Sequence, residues 1–536
     1  MTDGKDEKVI KVTVNRAGFE YDIHALVKSF YPAWEVRITE NGSIEGACKE
    51  NAGKGGIGKD SKEAALPAGE EAVDILIWIE EEAVRIALAE PKKEDASKAA
   101  AEHAGGALQA APFVMGSREL LRDAWGKVTR LEIKNRIKQL LYQMLSEYTG
   151  ICLPWGTLTG IRPVKIPMSM LEEGKGEEEI RDYMRSTYFI SSQKEQLAIE
   201  IARREKALLE TLHYENGYSL YIGIPFCPTT CLYCSFTSYP ILSWKKRVGE
   251  YLDALEKEID FTAEIYGDKV LDTIYIGGGT PTTLEPSELD RLLGKIHESF
   301  DLSRLKEFTV EAGRADSITR AKLETLQKWG VTRISVNPQT MKQKTLDLIG
   351  RRHTVEQVKE AFAMAREAGF SNINMDIILG LPGEEPSDVR NTMEEIERLG
   401  PDSLTVHSLA IKRASRLSQW IIENGISALN NTEETMEITA QGAAQMGMVP
   451  YYLYRQKNMS GNFENVGYAG EGKFGVYNIL IMEEKQSIVA LGAGSVSKRV
   501  YPDGQIERSE NVKDVALYIE KIDEMIERKR KLLMDL

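Results

Sequence analysis

From residue 218 to residue 410 the chain repeats one pattern about six times: a short apolar run, a loop, then an amphipathic helical stretch. The apolar runs fall at 218–224, 272–276, 306–311, 332–336, 372–378 and 402–408, and their length and composition predict strands. Strands alternating with helices imply a parallel sheet with the helices outside it. In such sheets the chemistry collects beyond the C-terminal ends of the strands. The distinctive motifs of this chain fall there. Three cysteines follow the first run, Gly277-Gly278-Gly279-Thr280-Pro281 the second, Glu311 ends the third, Gln339 follows the fourth, and Asp376 lies in the fifth.

Cys227, Cys231 and Cys234 are three of the chain's five cysteines, held in one CxxxCxxC segment. Thiolates so closely spaced are useful chiefly when they converge on one metal centre. Nothing in the chain suggests an oxidising compartment, which disfavours a disulfide. Zinc wants a fourth ligand, and His213 lies outside the loop with no further cysteine following. A buried helical stripe is the remaining structural reading, but Pro228 and the β-branched Thr229 and Thr230 favour a loop. Three thiolates on a four-iron cube leave one iron open to a small molecule.

The other candidates each have a plain structural alternative. The triple glycine is either a tight turn or a place where backbone approaches a ligand closely. Glu311 and Arg351, taken singly, read as solvated charges. Asp376 differs, because an acid inside the apolar run 373–381 must find a partner. Arg351, Arg352 and His353 either grip carboxylates or decorate a helix end. His24 reads as structural, and Cys48 and Cys152 as isolated thiols.

The 536 residues predict several domains, and 42% hydrophobic content with mean hydropathy -0.32 is ordinary for a globular enzyme. No apolar run is long enough to cross a membrane, and the charged start Met-Thr-Asp-Gly-Lys-Asp-Glu does not read as a secretory signal, so the expected address is the cytoplasm. A net charge of -14 argues against a broad nucleic-acid footprint. Along the N-terminal region the pattern predicts strand, helix and strand over 8–38, a long glycine-rich loop over 40–70, a hairpin over 72–88, an Ala-rich segment at 96–111 and a helix over 118–148. The glycines at 55, 56 and 58 lack the strand-to-helix context and spacing of a phosphate loop. After 410, helices are expected at 415–424 and 433–446, strands at 476–482 and 487–491, and a charged final helix from about 512 that packs one face. The organisation expected is an accessory α+β domain at 1–165, a helical connector at 166–213, the strand–helix repeat at 214–410 and a substrate-covering subdomain at 411–536.

Taken together, Tyr221-Ile222-Gly223-Ile224-Pro225-Phe226-Cys227 with its cysteine spacing, the triple glycine with Thr280-Pro281, Asn337-Pro338-Gln339 and Asp376-Ile377-Ile378-Leu379-Gly380-Leu381-Pro382-Gly383 resemble the HemN-like radical S-adenosylmethionine (SAM) proteins. Residues 155–163, 227–236, 406–410 and 458–467 are similar to the HemZ branch of oxygen-independent coproporphyrinogen III dehydrogenases. The resemblance covers the chain from about residue 150 onward. It implies an α/β fold, a partial (βα)6 TIM-like barrel with an N-terminal α+β domain and a C-terminal mixed subdomain. It implies a [4Fe–4S] cluster on Cys227, Cys231 and Cys234, and SAM at positions lined by Tyr221, Gly278, Gly279, Glu311, Gln339, Arg351, Asp376, Ile378 and Ser408, with Tyr233 beside the adenine. The implied reaction is oxygen-independent decarboxylation of coproporphyrinogen III propionates to vinyl groups, with a 5′-deoxyadenosyl radical taking the hydrogen and with the cysteines and Tyr221 at the reacting centre. The implied partners are a tetrapyrrole and a reducing electron donor such as flavodoxin or ferredoxin, without nucleic acid or membrane, on a monomer. Arg314, Arg352 or His353 would anchor the remaining propionates by charge.

Two positions depart from the dehydrogenase subgroup, which has a cysteine where this chain has Phe236 and a histidine where it has Gly223. The alternatives are a HemW-like haem chaperone and a radical SAM enzyme acting on another tetrapyrrole. The chaperones share a His-Asn…Tyr-Trp segment, where this chain reads Tyr477-Asn478-Ile479-Leu480-Ile481-Met482 without the histidine.

Overall fold

The computed structural model describes residues 9–32, 34–40, 74–79, 84–89, 113–119, 129–213, 216–236, 238–412, 415–425, 429–456 and 462–534. The glycine-rich stretch of 40–70, the Ala-rich segment 96–111, Cys48 and residues 458–461 lie outside them, apart from Glu40. The chain divides into two units, residues 1–160 with 175–196, and residues 161–174 with 197–536.

In the first unit, the sheet order is Glu35–Glu40, Val9–Val14, Asp74–Ile79, Val84–Ala89, Phe113–Glu119. The first three strands are parallel and the last two antiparallel. Ile10, Val12 and Val14 are buried and alternate with the less buried Lys11 and Thr13, so one face of the sheet carries the core. The helices Glu20–Phe30 and Arg130–Thr149 cover it with Ile23, Leu26, Phe30, Leu141 and Leu145. Fully burying one such side chain is worth about 1.5–3 kcal/mol. The expected helix over 118–148 is corrected at its start. Residues 113–119 form a strand paired with Val84–Ala89, and the helix begins only after Thr129, where Thr129 and Glu132 form a capping box.

The second unit is built on six parallel strands, Gly217–Ile224, Val270–Gly278, Glu307–Glu311, Arg333–Ser335, Ile373–Leu379 and Ser403–Ser408, each beside the next in chain order. Helices such as Val248–Tyr266, Pro286–Ser299, Val355–Glu367 and Pro386–Leu399 connect them. The first and sixth strands do not pair with each other, so the barrel stays open. Ser487–Leu491 joins the first strand in parallel, followed by Val496–Val500 and Ile506–Glu510. Asn465–Ala469 and Val449–Tyr454 extend the other edge antiparallel to the sixth strand. The C-terminal part therefore blunts both edges of an otherwise sticky sheet.

Two expectations for this region need correction. Residues 476–482 are not a strand, since Val476–Glu483 is a helix whose first N–H groups, of Val476 and Tyr477, donate to the Glu307 carboxylate at 2.7 and 3.3 Å. A carboxylate from a distant strand thus caps the helix and satisfies donors that the local sequence leaves open. The charged C-terminal helix also does more than pack one face. Lys529, 1% exposed, donates to Glu258 Oε1 at 2.5 Å and to Asn511 Oδ1 at 2.7 Å. Glu258 also accepts from Tyr518, Asn511 and the Gly492 N–H, while the Tyr251 hydroxyl donates to Gly223 C=O at 2.6 Å.

A buried ion pair is costly to halve, because the surviving charge stays desolvated. Lys529→Met is therefore expected to lose about 3–5 kcal/mol of unfolding free energy, with the double variant Glu258→Gln, Lys529→Met recovering a large part of it. Denaturant unfolding of both decides; equal losses would contradict the assignment of the pair.

Candidate functional site

The first parallel strand ends at Ile224, and the chain turns through Pro225 into the short strand Phe226–Cys227, which pairs in parallel with Tyr239–Pro240. Between these two short strands runs the cysteine loop, as the proline and β-branched residues led us to expect. It is fastened at several points. Gly279 N–H donates to Ile224 C=O at 2.8 Å and Thr280 N–H to Phe226 C=O at 2.7 Å. A Cβ on Gly279 would lie 2.5 Å from the Phe226 oxygen, so only glycine permits this approach. Gly278 has φ +105°, which explains the second glycine of the run. Leu232 donates to Ile349 C=O at 2.9 Å and accepts from Leu417 N–H at 3.0 Å, while the Leu232 and Tyr233 side chains pack against a core of Leu346, Ile349, Ile378 and Leu417.

Cys227, Cys231 and Cys234 are free and half-buried, whereas Cys152 is exposed. The Thr280 hydroxyl donates to Cys227 Sγ at 3.6 Å, and Arg314 Nη1 to Cys231 Sγ at 3.6 Å. Burial pushes the Cys227 and Cys234 thiols up, so donors and a cation beside the sulfurs favour the thiolate a metal would bind. Among the described residues no three His, Cys, Asp or Glu groups converge on a single ion.

Arg314 is itself gripped by Asp316 through Nε at 3.0 Å and Nη2 at 2.8 Å, and it also holds Thr229. His353, fully buried, lies 3.6 Å from Asp316. Burial works against it, yet the neighbouring His353 and the hydrogen bonds from Arg314 keep the Asp316 carboxyl well below the usual range. Arg314 is therefore spent on Asp316 and the cysteine loop, His353 stands behind Asp316 with both ring nitrogens lacking a hydrogen-bond partner, and Arg352 is exposed.

The remaining candidates gather at the same strand ends. Tyr221 and Tyr275 are register neighbours on the first two strands, their rings stacked at 6.2 Å and 14°. Tyr477 stacks on both, 4.6 Å from Tyr275. The Tyr275 hydroxyl donates to Glu311 Oε1 at 2.5 Å. Burial raises the Glu311 carboxyl to about 7, with the Asp376 charge adding to the rise. Asp376 has the partners its apolar setting demanded: Asn337 Nδ2 and Asn374 Nδ2 each at 2.7 Å, and His407 Nε2 at 3.7 Å. Burial would raise it, but His407 and Asn374 hold it below the ordinary value. His407 also meets the Tyr454 hydroxyl at 3.3 Å.

Gln339 adopts φ +68°, unusual for a residue other than glycine, and its buried Oε1 has no partner. Arg351, 5% exposed, donates from Nη1 to Gly313 and Asn337 carbonyls and leaves Nε unpartnered. Tyr233 is held beside Arg351 and Cys231. Ile378 belongs to the core under the loop. Ser408 spends its hydroxyl on Glu464 C=O at 2.8 Å and its N–H on Asn465 Oδ1 at 2.9 Å, so both of its donors are committed within the sheet. Gln339 Oε1 can accept a hydrogen bond from a bound molecule and Arg351 Nε can donate one to it. An acceptor amide, two carboxylates and a guanidinium fit an amino-acid-bearing nucleoside, which offers ammonium and hydroxyl donors and a carboxylate.

Tyr275 was not singled out by sequence, although it stands two residues before the triple glycine; Asn337, His407 and Tyr477 were named only as parts of longer segments, and Arg314 only for another role. Tyr477 carried no signal, because its segment reads as an apolar strand.

The profile of the Radical SAM superfamily matches residues 221–396. The chain belongs to that superfamily, and within it to the family of HemN-like proteins. It is 42% identical over 407 residues to the oxygen-independent coproporphyrinogen-III oxidase-like protein HemZ of Bacillus subtilis, covering 75% of this chain and 81% of that one. It is 40% identical over 195 residues to the heme chaperone HemW of the same organism, of which it spans about half: 36% of this chain and 51% of that one. A solved structure, coproporphyrinogen III oxidase (HemN) from Escherichia coli, aligns at 23% identity and TM-score 0.47 over 60% of this chain and 72% of that one. Members of the superfamily use a [4Fe–4S] cluster with SAM, and the thiols, the partnerless Gln339 and Arg351 atoms and the paired carboxylates fit those groups.

Because Glu311 titrates higher folded than unfolded, its sign is the reverse of the usual carboxylate. Its contribution to stability is present below pH 4.5 and is lost as pH rises to about 7. At 1.36 kcal/mol per pH unit, that is about 3 kcal/mol. In the cofactor-free protein, urea unfolding across this window should fall less steeply for Glu311→Gln than for the unaltered chain; parallel slopes would refute the burial argument. Gly279→Ala should leave the fold's far-ultraviolet signature in place and lower the iron and sulfide taken up on reconstitution several-fold, as metal analysis will show.

Proposed function

We propose that the chain is a radical SAM oxidoreductase that converts propionate side chains of coproporphyrinogen III into vinyl groups and so gives protoporphyrinogen IX. The observation that carries the radical class is the meeting, at one sheet rim, of three free thiols of one loop with buried polar atoms that lack partners. The substrate rests on the likeness to HemZ over most of both chains.

Cys227, Cys231 and Cys234 would hold the cluster, and Tyr221, Gly278, Gly279, Glu311, Gln339, Arg351, Asp376, Ile378 and Ser408, with Tyr233, would line the SAM site. When bound, these two groups supply a strongly reducing electron and a carbon radical able to take hydrogen from an unactivated C–H bond. The chain's own residues do the rest. Thr280 and Arg314 offset charge on two sulfurs, Glu311 and Asp376 accept from ammonium or hydroxyl donors, and Arg351 meets a carboxylate. The ring stack of Tyr221, Tyr275 and Tyr477 gives an aromatic wall suited to a flat macrocycle. Each propionate loses a hydrogen atom, CO2 and one electron, and two propionates are converted.

The HemW relative supports a second reading, haem carriage without turnover. Anaerobically reconstituted protein should release 5′-deoxyadenosine and CO2 with coproporphyrinogen III and not with haem. Stoichiometric haem binding with no turnover would transfer the assignment to the chaperone, and turnover on haem alone to another tetrapyrrole. Cys231→Ala should abolish both cluster absorbance and SAM cleavage; retention of either removes the metal assignment.

A further inference from the structure

We infer that the surface beside Cys227 and Cys234, formed by Phe236, Leu242 and the run Lys245-Lys246-Arg247, is the docking site of a small acidic one-electron carrier protein. The inference rests on the reading that the three cysteines hold a reducible cluster.

Two of the most exposed large apolar side chains lie here, Leu242 at 82% and Phe236 at 75%. Both are tied to the ligand sulfurs by short paths. The Phe236 backbone N–H donates to the Cys234 sulfur. Cys227 pairs with Pro240, and the helical turn Ile241–Trp244 follows directly. That turn is rigid, because Trp244 packs on Phe226 at 6.1 Å and Tyr239 at 5.6 Å, with Arg247 over its ring at 5.1 Å. Leu242 thus projects from a fixed platform, not from a loose loop.

The charges beside it run against those of the whole chain. In a molecule of net charge -14, three consecutive cations follow the exposed leucine. Lys245 pairs with the half-exposed Glu285 at 3.3 Å, and Arg247 with Glu250 at 2.8 Å. Asp514 reaches the Tyr239 hydroxyl at 3.4 Å. Lys246 is exposed and has no acidic partner among the described residues, and the same holds for Arg352 and for Arg416, which donates to the Thr230 carbonyl inside the cysteine loop. Exposed apolar side chains with the unpaired Lys246 beside them, and with Arg416 on the cysteine loop, are the complement of an acidic face with an apolar spot.

The chemistry supplies the kind of partner. Reductive cleavage requires one electron to pass from a carrier, oxidised by one, to the cluster, reduced by one, with no proton or group moving. The carrier must therefore approach the thiols closely, and this is a face through which single residues link solvent to two of the three sulfurs.

The test uses the cluster-loaded full chain, reduced flavodoxin as the acidic flavin carrier, and the double variant Leu242→Glu, Lys246→Glu. Two quantities are read without any tetrapyrrole: the dissociation constant for the carrier at low and high salt, and the anaerobic rate at which cluster absorbance bleaches with carrier or with dithionite. Expected are at least about tenfold weaker binding and tenfold slower carrier-driven bleaching in the variant, an unchanged dithionite rate, and binding of the unaltered chain that weakens with salt. Unchanged carrier binding overturns the inference, as does an equal fall in the dithionite rate, or a self-association of the chain that the variant dissolves while carrier kinetics stay the same. A chain that takes up no iron and sulfide overturns instead the reading on which the inference rests.

Discussion

Two backbone hydrogen bonds hold the site together. Gly279 N–H on Ile224 C=O and Thr280 N–H on Phe226 C=O join the turn after the second strand to the point where the cysteine loop leaves the first. The loop itself has little regular structure to define it, so its geometry is borrowed from neighbours. On one side lies the glycine turn, on the other the Leu232 backbone bridged between Ile349 and Leu417. The Arg314–Asp316–His353 group closes it from beneath. Each anchor comes from a different strand–helix unit, so the loop is only as well placed as the parallel sheet that carries them.

The same sheet separates the two rim carboxyls chemically. Asp376 and Glu311 are close enough to feel each other's charge, yet one is held below its ordinary value and the other raised to about 7. Asp376 is surrounded by amide donors and a histidine, whereas Glu311 has the Tyr275 hydroxyl, the Gly278 N–H and an aromatic wall. Environment, and not residue type, assigns one a lasting charge and lets the other hold a proton near neutrality.

Much of this was legible from residues alone. The six apolar runs, the CxxxCxxC loop and the acid buried in an apolar strand each carry a local signal, because side-chain period and burial cost act over a few residues. Charge alone did not show that Asp316, Thr229 and the Cys231 sulfur claim Arg314. The helix Val476–Glu483 was misread because its cap, Glu307, comes from another strand. Its Tyr477 then entered the site unannounced. Ser408 lay in a recognisable motif, but only the structure shows its donors already taken by Glu464 and Asn465.

By itself the sequence determined that the chain forms a parallel strand–helix sheet with its thiols and acids at one rim, since alternation and spacing are local properties that survive any packing. Tertiary structure decided which groups at that rim are spent and which are free. It did so by bringing together residues 271 and 169 positions apart, Lys529 onto Glu258 and Val476 onto Glu307, whose pairing depends on mutual desolvation that no short stretch can encode.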